Sequence, residues 1–175
     1  MKRYDFDLMK LSKLGNQFIT ISFIFLKKYL FGCYNQQIRI EEEKLKIRIY
    51  TKENDKDWQI ELEKLFLEIH FYLICWANIK KILRELSKVI KDKDFQIIIS
   101  KYNFHLNEFI EFRTYLEHFA KDFENEKKKN LLKNPSDLGN LEGDFYTFGG
   151  KKLYIGEKNL DLLNNLHSDL NRWLG

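Results

Sequence analysis

The tightest constraint in this chain is a row of large apolar residues that returns every three or four positions for about nine helical turns. Trp58, Leu62, Leu65, Ile69, Leu73, Trp76, Leu83, Leu86 and Ile90 fall at this spacing. Residues 57–90 are therefore predicted to form one helix with a continuous apolar stripe. A stripe of that length must be covered along its whole course, so the chain needs other long elements beside it. The helix reads as the spine of a bundle. Asn54 or Asp55 can cap its start, and Asp92 and Asp94 mark the break at its end.

A second long helix is predicted over residues 95–126, with Tyr102, Leu106, Phe109, Phe112, Leu116, Phe119 and Phe123 facing inward. Residues 4–33 read as a first helix whose Phe18–Leu26 stretch is buried. The β-branched residues Ile19, Thr20, Ile21 and Ile24 leave a strand open there. Residues 37–50 read two ways. Glu41-Glu42-Glu43 favours helix, whereas Leu45, Ile47 and Ile49 alternate with Lys46 and Arg48 as in a short strand. Beyond residue 126 a loop is expected to about residue 144, because Asn134-Pro135-Ser136-Asp137 and Gly139-Asn140 are turn chemistry. Phe145–Phe148 and residues 151–155 flank Gly149-Gly150, a two-residue hairpin signal. A last helix over 158–174 carries Leu160, Leu163, Leu166, Leu170 and Trp173 on one face.

The expected fold is mainly α: a helical bundle of four to five helices with a short β-hairpin before the C-terminal helix. At 175 residues the chain suits a single domain over 1–175. A single proline, Pro135, argues against an all-β design rich in tight turns. The formal charge of +4 permits a nucleic-acid partner without demanding one. The dense basic run Lys127-Lys128-Lys129 follows Glu124 and Glu126 and reads as a solvated helix end. Cys33 and Cys75 show no C-x-x-C or other paired spacing and read as buried thiols of a reducing cytoplasm. The apolar run 18–26 is closed by Lys27 and Lys28, too short for a bilayer that needs about 20 residues. Asp5 and Asp7 precede it, which does not fit a signal sequence. A cytoplasmic protein without integral membrane association is expected, with a peripheral membrane role for residues 18–31 as the least favoured reading.

The chain lacks a G-x-x-x-x-G-K-[ST] phosphate loop, G-x-G-x-x-G, G-x-S-x-G and H-E-x-x-H. Its histidines, at 70, 105, 118 and 167, do not pair at i+3 or i+4, so no metal or cofactor is expected. His70, beside the stripe of the long helix, reads as structural, and Glu61, Glu63 and Glu68 as helix-surface charges. The remaining candidate is Arg113-Thr114-Tyr115-Leu116-Glu117-His118. Arginine is a fixed planar cation suited to phosphate, and histidine exchanges a proton near neutral pH. Together they suit cleavage of RNA by its own 2′-hydroxyl. His118 would move the proton, Arg113 would hold the developing charge, and Thr114, Glu111 or Glu117 would orient them. On a helix, Asn107, Glu111, Thr114 and His118 form a polar stripe opposite Phe109 and Leu116. Arg113 falls about 140° from His118, so the two converge only in a shared groove, such as one formed by a second copy. Glu117 lies at i+4 from Arg113, where an ion pair would partly neutralise it.

With that motif late in a helical bundle, the chain resembles the HEPN superfamily, whose mark is an arginine followed four to six residues later by a histidine. The resemblance rests on Phe112-Arg113-Thr114-Tyr115-Leu116-Glu117-His118-Phe119, followed by Asp137-Leu138-Gly139-Asn140, the hairpin and the last helix, and it covers roughly residues 57–175. It implies a homodimer acting on RNA as a metal-independent endoribonuclease, a toxin or antiviral defence effector partnered by an antitoxin or defence-system protein. The alternative it implies is a non-catalytic dimeric module that binds a protein, nucleotide or RNA. Thr114 stands where active members usually carry Asn, Asp or His. Phe119-Ala120-Lys121 replaces the tyrosine modified in one toxin–antitoxin branch, so that mode of control is not expected.

Overall fold

A computed structural model describes residues 3–52, 58–122 and 140–175, with side chains over 3–50, 60–118 and 140–175. The architecture is mainly α. Among the described residues the order is α1 (Leu8–Lys13), α2 (Gln17–Lys52), α3 (Trp58–Val89), α4 (Lys93–Asp122), β1 (Asn140–Glu142), β2 (Phe145–Phe148), β3 (Lys151–Tyr154) and α5 (Lys158–Leu174).

The segment expected to be one helix over 4–33 is three pieces. Residues 3–7 are not helical, and Asp7 caps α1 by accepting from the Met9 and Lys10 amides. Gly15 then takes φ +68°, which ends the turn. Asn16 restarts the helix by accepting from the Phe18 amide at 2.9 Å. The break lets Tyr4 and Phe6 turn inward and bury. Residues 37–50, which read as helix or strand, are helix and continue α2. The inward set there is Gln37, Ile40, Glu43, Lys44 and Ile47, at helical spacing, while Leu45 and Ile49 are exposed. The apparent alternation therefore does not mark one face of a strand.

α2 and α3 pack antiparallel, as the contacts Gly32–Cys75, Arg39–Glu68 and Lys46–Glu61 show by their opposite progression. α4 returns along α3 and stacks Phe109 on Trp76, with ring centroids 4.6 Å apart and planes 2° apart. Leu65, Ile69, Leu73, Trp76, Leu83 and Leu86 of the predicted stripe are buried, and Ile90 follows α3. The proposed caps Asn54 and Asp55 lie outside the described residues, as do Phe123 and the turn residues 134–137. At the other end Asp92 caps α4 through the Phe95 amide (2.9 Å) and also accepts from Trp173 Nε1 at 2.8 Å. That second bond ties the α3–α4 corner to the end of α5.

β1, β2 and β3 form an antiparallel meander in that order, pairing Leu141 with Tyr146 and Tyr146 with Leu153. The hairpin is as expected. Gly149 and Gly150 have φ +53° and +78°, the left-handed pair a two-residue turn requires. β1 is an addition: Asn140 opens a strand rather than a turn. Tyr146 and Leu153 point into the bundle, where Tyr146 meets Phe66 of α3 and Phe112 of α4. α5 spans the residues expected, with Leu163, Leu166 and Leu170 buried. No described helix is long and apolar enough to cross a membrane.

Candidate functional site

The five residues expected to carry chemistry all lie on the C-terminal half of α4, and the helix does not gather them. Arg113 is half-buried, and its Nε and Nη2 both donate to Glu117 Oε1, at 2.9 and 2.7 Å. The guanidinium is thus engaged by the residue one turn along. His118 is exposed, and among the described residues no hydrogen bond or ion pair reaches its ring. α4 is unbroken from Arg113 to His118, so the two side chains leave it about 140° apart. Thr114 and Glu111 are exposed. Of the polar stripe, Glu111, Thr114 and His118 face outward, while Asn107 is half-buried and accepts from Lys80 of α3.

The sheet fixes what lies beside this stretch. Tyr115 donates to the Gly149 carbonyl at 2.8 Å, and Lys151 Nζ stands 4.7 Å over the Tyr115 ring. A β-carbon on Gly149 would collide with the Tyr115 hydroxyl, so glycine serves both the turn and this close approach. The docked hairpin and α5 leave an open groove along α4. One part holds Glu108 and Glu111 against Lys151, Lys152 and Tyr154. The part toward α5, of about 750 Å³, adds His105, Lys158 and Asp161. Phe145 is exposed over both parts, with its ring edge-on to Tyr154. His105 Nδ1 lies 3.8 Å from Glu108 Oε2. Of the five expected residues only Glu111 lines this groove. The others that line it had faint sequence signals: an i+3 His105–Glu108 pair and two lysines after Gly-Gly.

A second concentration of charge lies inside the bundle. Lys44 is buried and donates to Glu41 (2.9 Å) and to Asp144 (2.6 Å), which ties α2 to the turn before β2. Gln37 reinforces the tie through the Ile155 carbonyl at 2.7 Å. Farther along α2, Glu43 meets Glu61 of α3. Glu61 was expected on the surface and is instead buried. Each of these glutamates keeps a buried Oε2 without a donor. Burial raises the Glu43 carboxyl above the usual range, and the neighbouring Glu61 adds to the rise. Glu61 is lowered by its bond to Lys64. Two neighbouring carboxyls, one raised and one lowered, titrate as a coupled pair. His70 is half-buried with its ring near Phe71. Among the described residues no three potential ligands gather to hold a metal.

Cys75 of α3 also rests on Gly32 of α2, the residue before Cys33, so the two cysteines, which no spacing paired, share one place in the α2–α3 interface. Comparison with known proteins finds no family model, no curated protein and no solved structure that matches the chain.

Proposed function

We propose that the chain is a non-catalytic, HEPN-like helical module that binds a polypeptide partner in the groove between α4, the hairpin and α5. The observation that carries this reading is the internal pairing of Arg113 with Glu117, on a different side of α4 from His118. A phosphodiester needs both groups at once, and one chain supplies neither a free guanidinium nor a shared approach. The groove mixes Lys151, Lys152 and Lys158 with Glu108, Glu111 and Asp161 around an exposed aromatic. Alternating charges beside apolar surface suit a peptide better than a uniformly negative strand. Exposed Ile38, Leu45 and Ile49 on α2 and Leu67 and Phe71 on α3 support self-association as the second element of the reading.

The test is metal-free incubation of the purified chain with structured and single-stranded RNA. No cleavage is expected from the parent or from Arg113→Ala and His118→Ala. Cleavage abolished by His118→Ala would overturn the proposal. It would instead establish the second reading, a dimeric metal-independent endoribonuclease of a toxin or defence system. That reading is favoured by the exposure of His118 and the partial exposure of Arg113, which a second copy could reach.

A further inference from the structure

The two thiols stand apart from the groove and from the Arg113–His118 stretch, and their placement has its own logic. Gly32 sits within α2, where glycine weakens a helix relative to alanine. Cys75 Sγ lies 2.8 Å from where a β-carbon on Gly32 would stand. Any side chain at position 32 would displace that sulfur, so the glycine is the space in which the α3 sulfur rests on α2. Its neighbour in the chain, Cys33, is fully buried, which brings both thiols to the same crossing of α2 and α3. Both thiols are free, and Cys75 alone is partly open to the outside.

We propose that Cys33 and Cys75 are an oxidisable pair, in which a hydroperoxide reaching Cys75 leads to a reversible disulfide between α2 and α3. The Cys75 sulfur, as thiolate, attacks one peroxide oxygen. The O–O bond breaks, and the departing hydroxide takes up the proton released from Cys75 and leaves as water. Cys75 is now a sulfenic acid. The Cys33 sulfur attacks the Cys75 sulfur, the S–O bond breaks, and hydroxide leaves with the Cys33 proton as a second water. The thiols lose two electrons and the peroxide gains them. The order of events follows from access: Cys75, partly open to the outside, meets the peroxide, and the sealed Cys33 beside it resolves the sulfenic acid. A cytosolic disulfide of this kind is transient by nature.

The full-length chain would be treated with hydrogen peroxide and its intact mass measured under denaturing conditions. The expected result is a loss of about 2 Da in the monomer, reversed by dithiothreitol and absent in Cys33→Ser and Cys75→Ser. Digestion of the oxidised parent should yield a linked peptide containing both cysteines, a readout that does not depend on the variants folding. An unchanged mass, a gain of one or more oxygens without loss of the two hydrogens, or a disulfide between chains would each overturn the proposal.

Discussion

Two concentrations of charged side chains on long helices end in opposite settings. Between Glu41 and Glu68 the charges of α2 and α3 include buried Glu43, Lys44 and Glu61, with partners on another helix or on the turn before β2. Between Glu111 and His118 the charges of α4 are exposed except for half-buried Arg113, and among the described residues the one close pair stays within the helix. The first set reads in sequence as ordinary solvated charge and does structural work. The second reads as a reactive site, and its arginine is already engaged. Residue type announces what a group is capable of, whereas burial and partner decide what it does.

The sharpest way to break this contrast is Lys44→Met. It strands Asp144 and Glu41, which keep 44% and 36% of their side-chain surface. That exposure trims the cost of a broken buried pair to about 2–3 kcal/mol. Urea denaturation would read it, and limited proteolysis should show the sheet loosening from α2 first. A cost near zero would put Lys44 in the same class as the α4 charges.

Asp169→Asn tests a tie of intermediate kind. Asp169 accepts from the Tyr102 hydroxyl and Lys101, both at 2.7 Å, and the variant should lose about 1–2 kcal/mol. The bond to Lys101 holds the Asp169 carboxyl below the usual range, and the Phe95 amide does the same for Asp92. Lowered carboxyls contribute stability above the unfolded value of about 3.9, and that contribution disappears as pH falls. Urea midpoints should therefore drop on acidification through this region, less steeply in Asp169→Asn than in the parent.

The Glu43–Glu61 pair predicts the opposite slope. Glu43 is raised by burial, so its contribution is complete below the unfolded value of about 4.3 and declines as pH rises through its folded value. Glu43→Gln, which cannot ionise, should flatten that decline. An equal decline in parent and variant would mean that Glu43 does not titrate with folding in this range. The smallest effects belong to α4. Arg113→Ala and His118→Ala should each change stability by no more than about 0.5 kcal/mol, and a larger loss by thermal denaturation would mean that these side chains are structural after all.

The spine, the hairpin and the last helix were legible because each rests on a local rule. Leu65 to Leu86 repeat at helical spacing, Gly149-Gly150 meets a turn's backbone demand, and Leu163, Leu166 and Leu170 share a face. The break at Gly15 was hidden because Tyr4 and Phe6 bury through long-range contacts that periodicity does not encode. The stretch 37–50 was ambiguous because Leu45 and Ile49 are exposed apolar residues that imitate alternation. The α4 motif was legible as types and spacing, and so was the possibility that Glu117 would engage Arg113. The groove was not, because its walls come from α4, the hairpin and α5, and only folding brings His105, Lys151 and Lys158 to one place.

The contacts of residues 4–10 bear on when that segment can pack. Tyr4 donates to Asn164, the Asp5 carbonyl is held by His167 and Asn171, and Lys10 reaches the Gly175 carbonyl. At about 5–20 residues per second, synthesis separates residues 4–10 from α5 by on the order of ten seconds. During that interval the Phe23 ring lacks the Trp173 ring against which it stacks. Tyr4 and Asp5 thus wait for their α5 partners until that helix has been synthesised, and a chaperone that shields α1 and α2 would act in that interval.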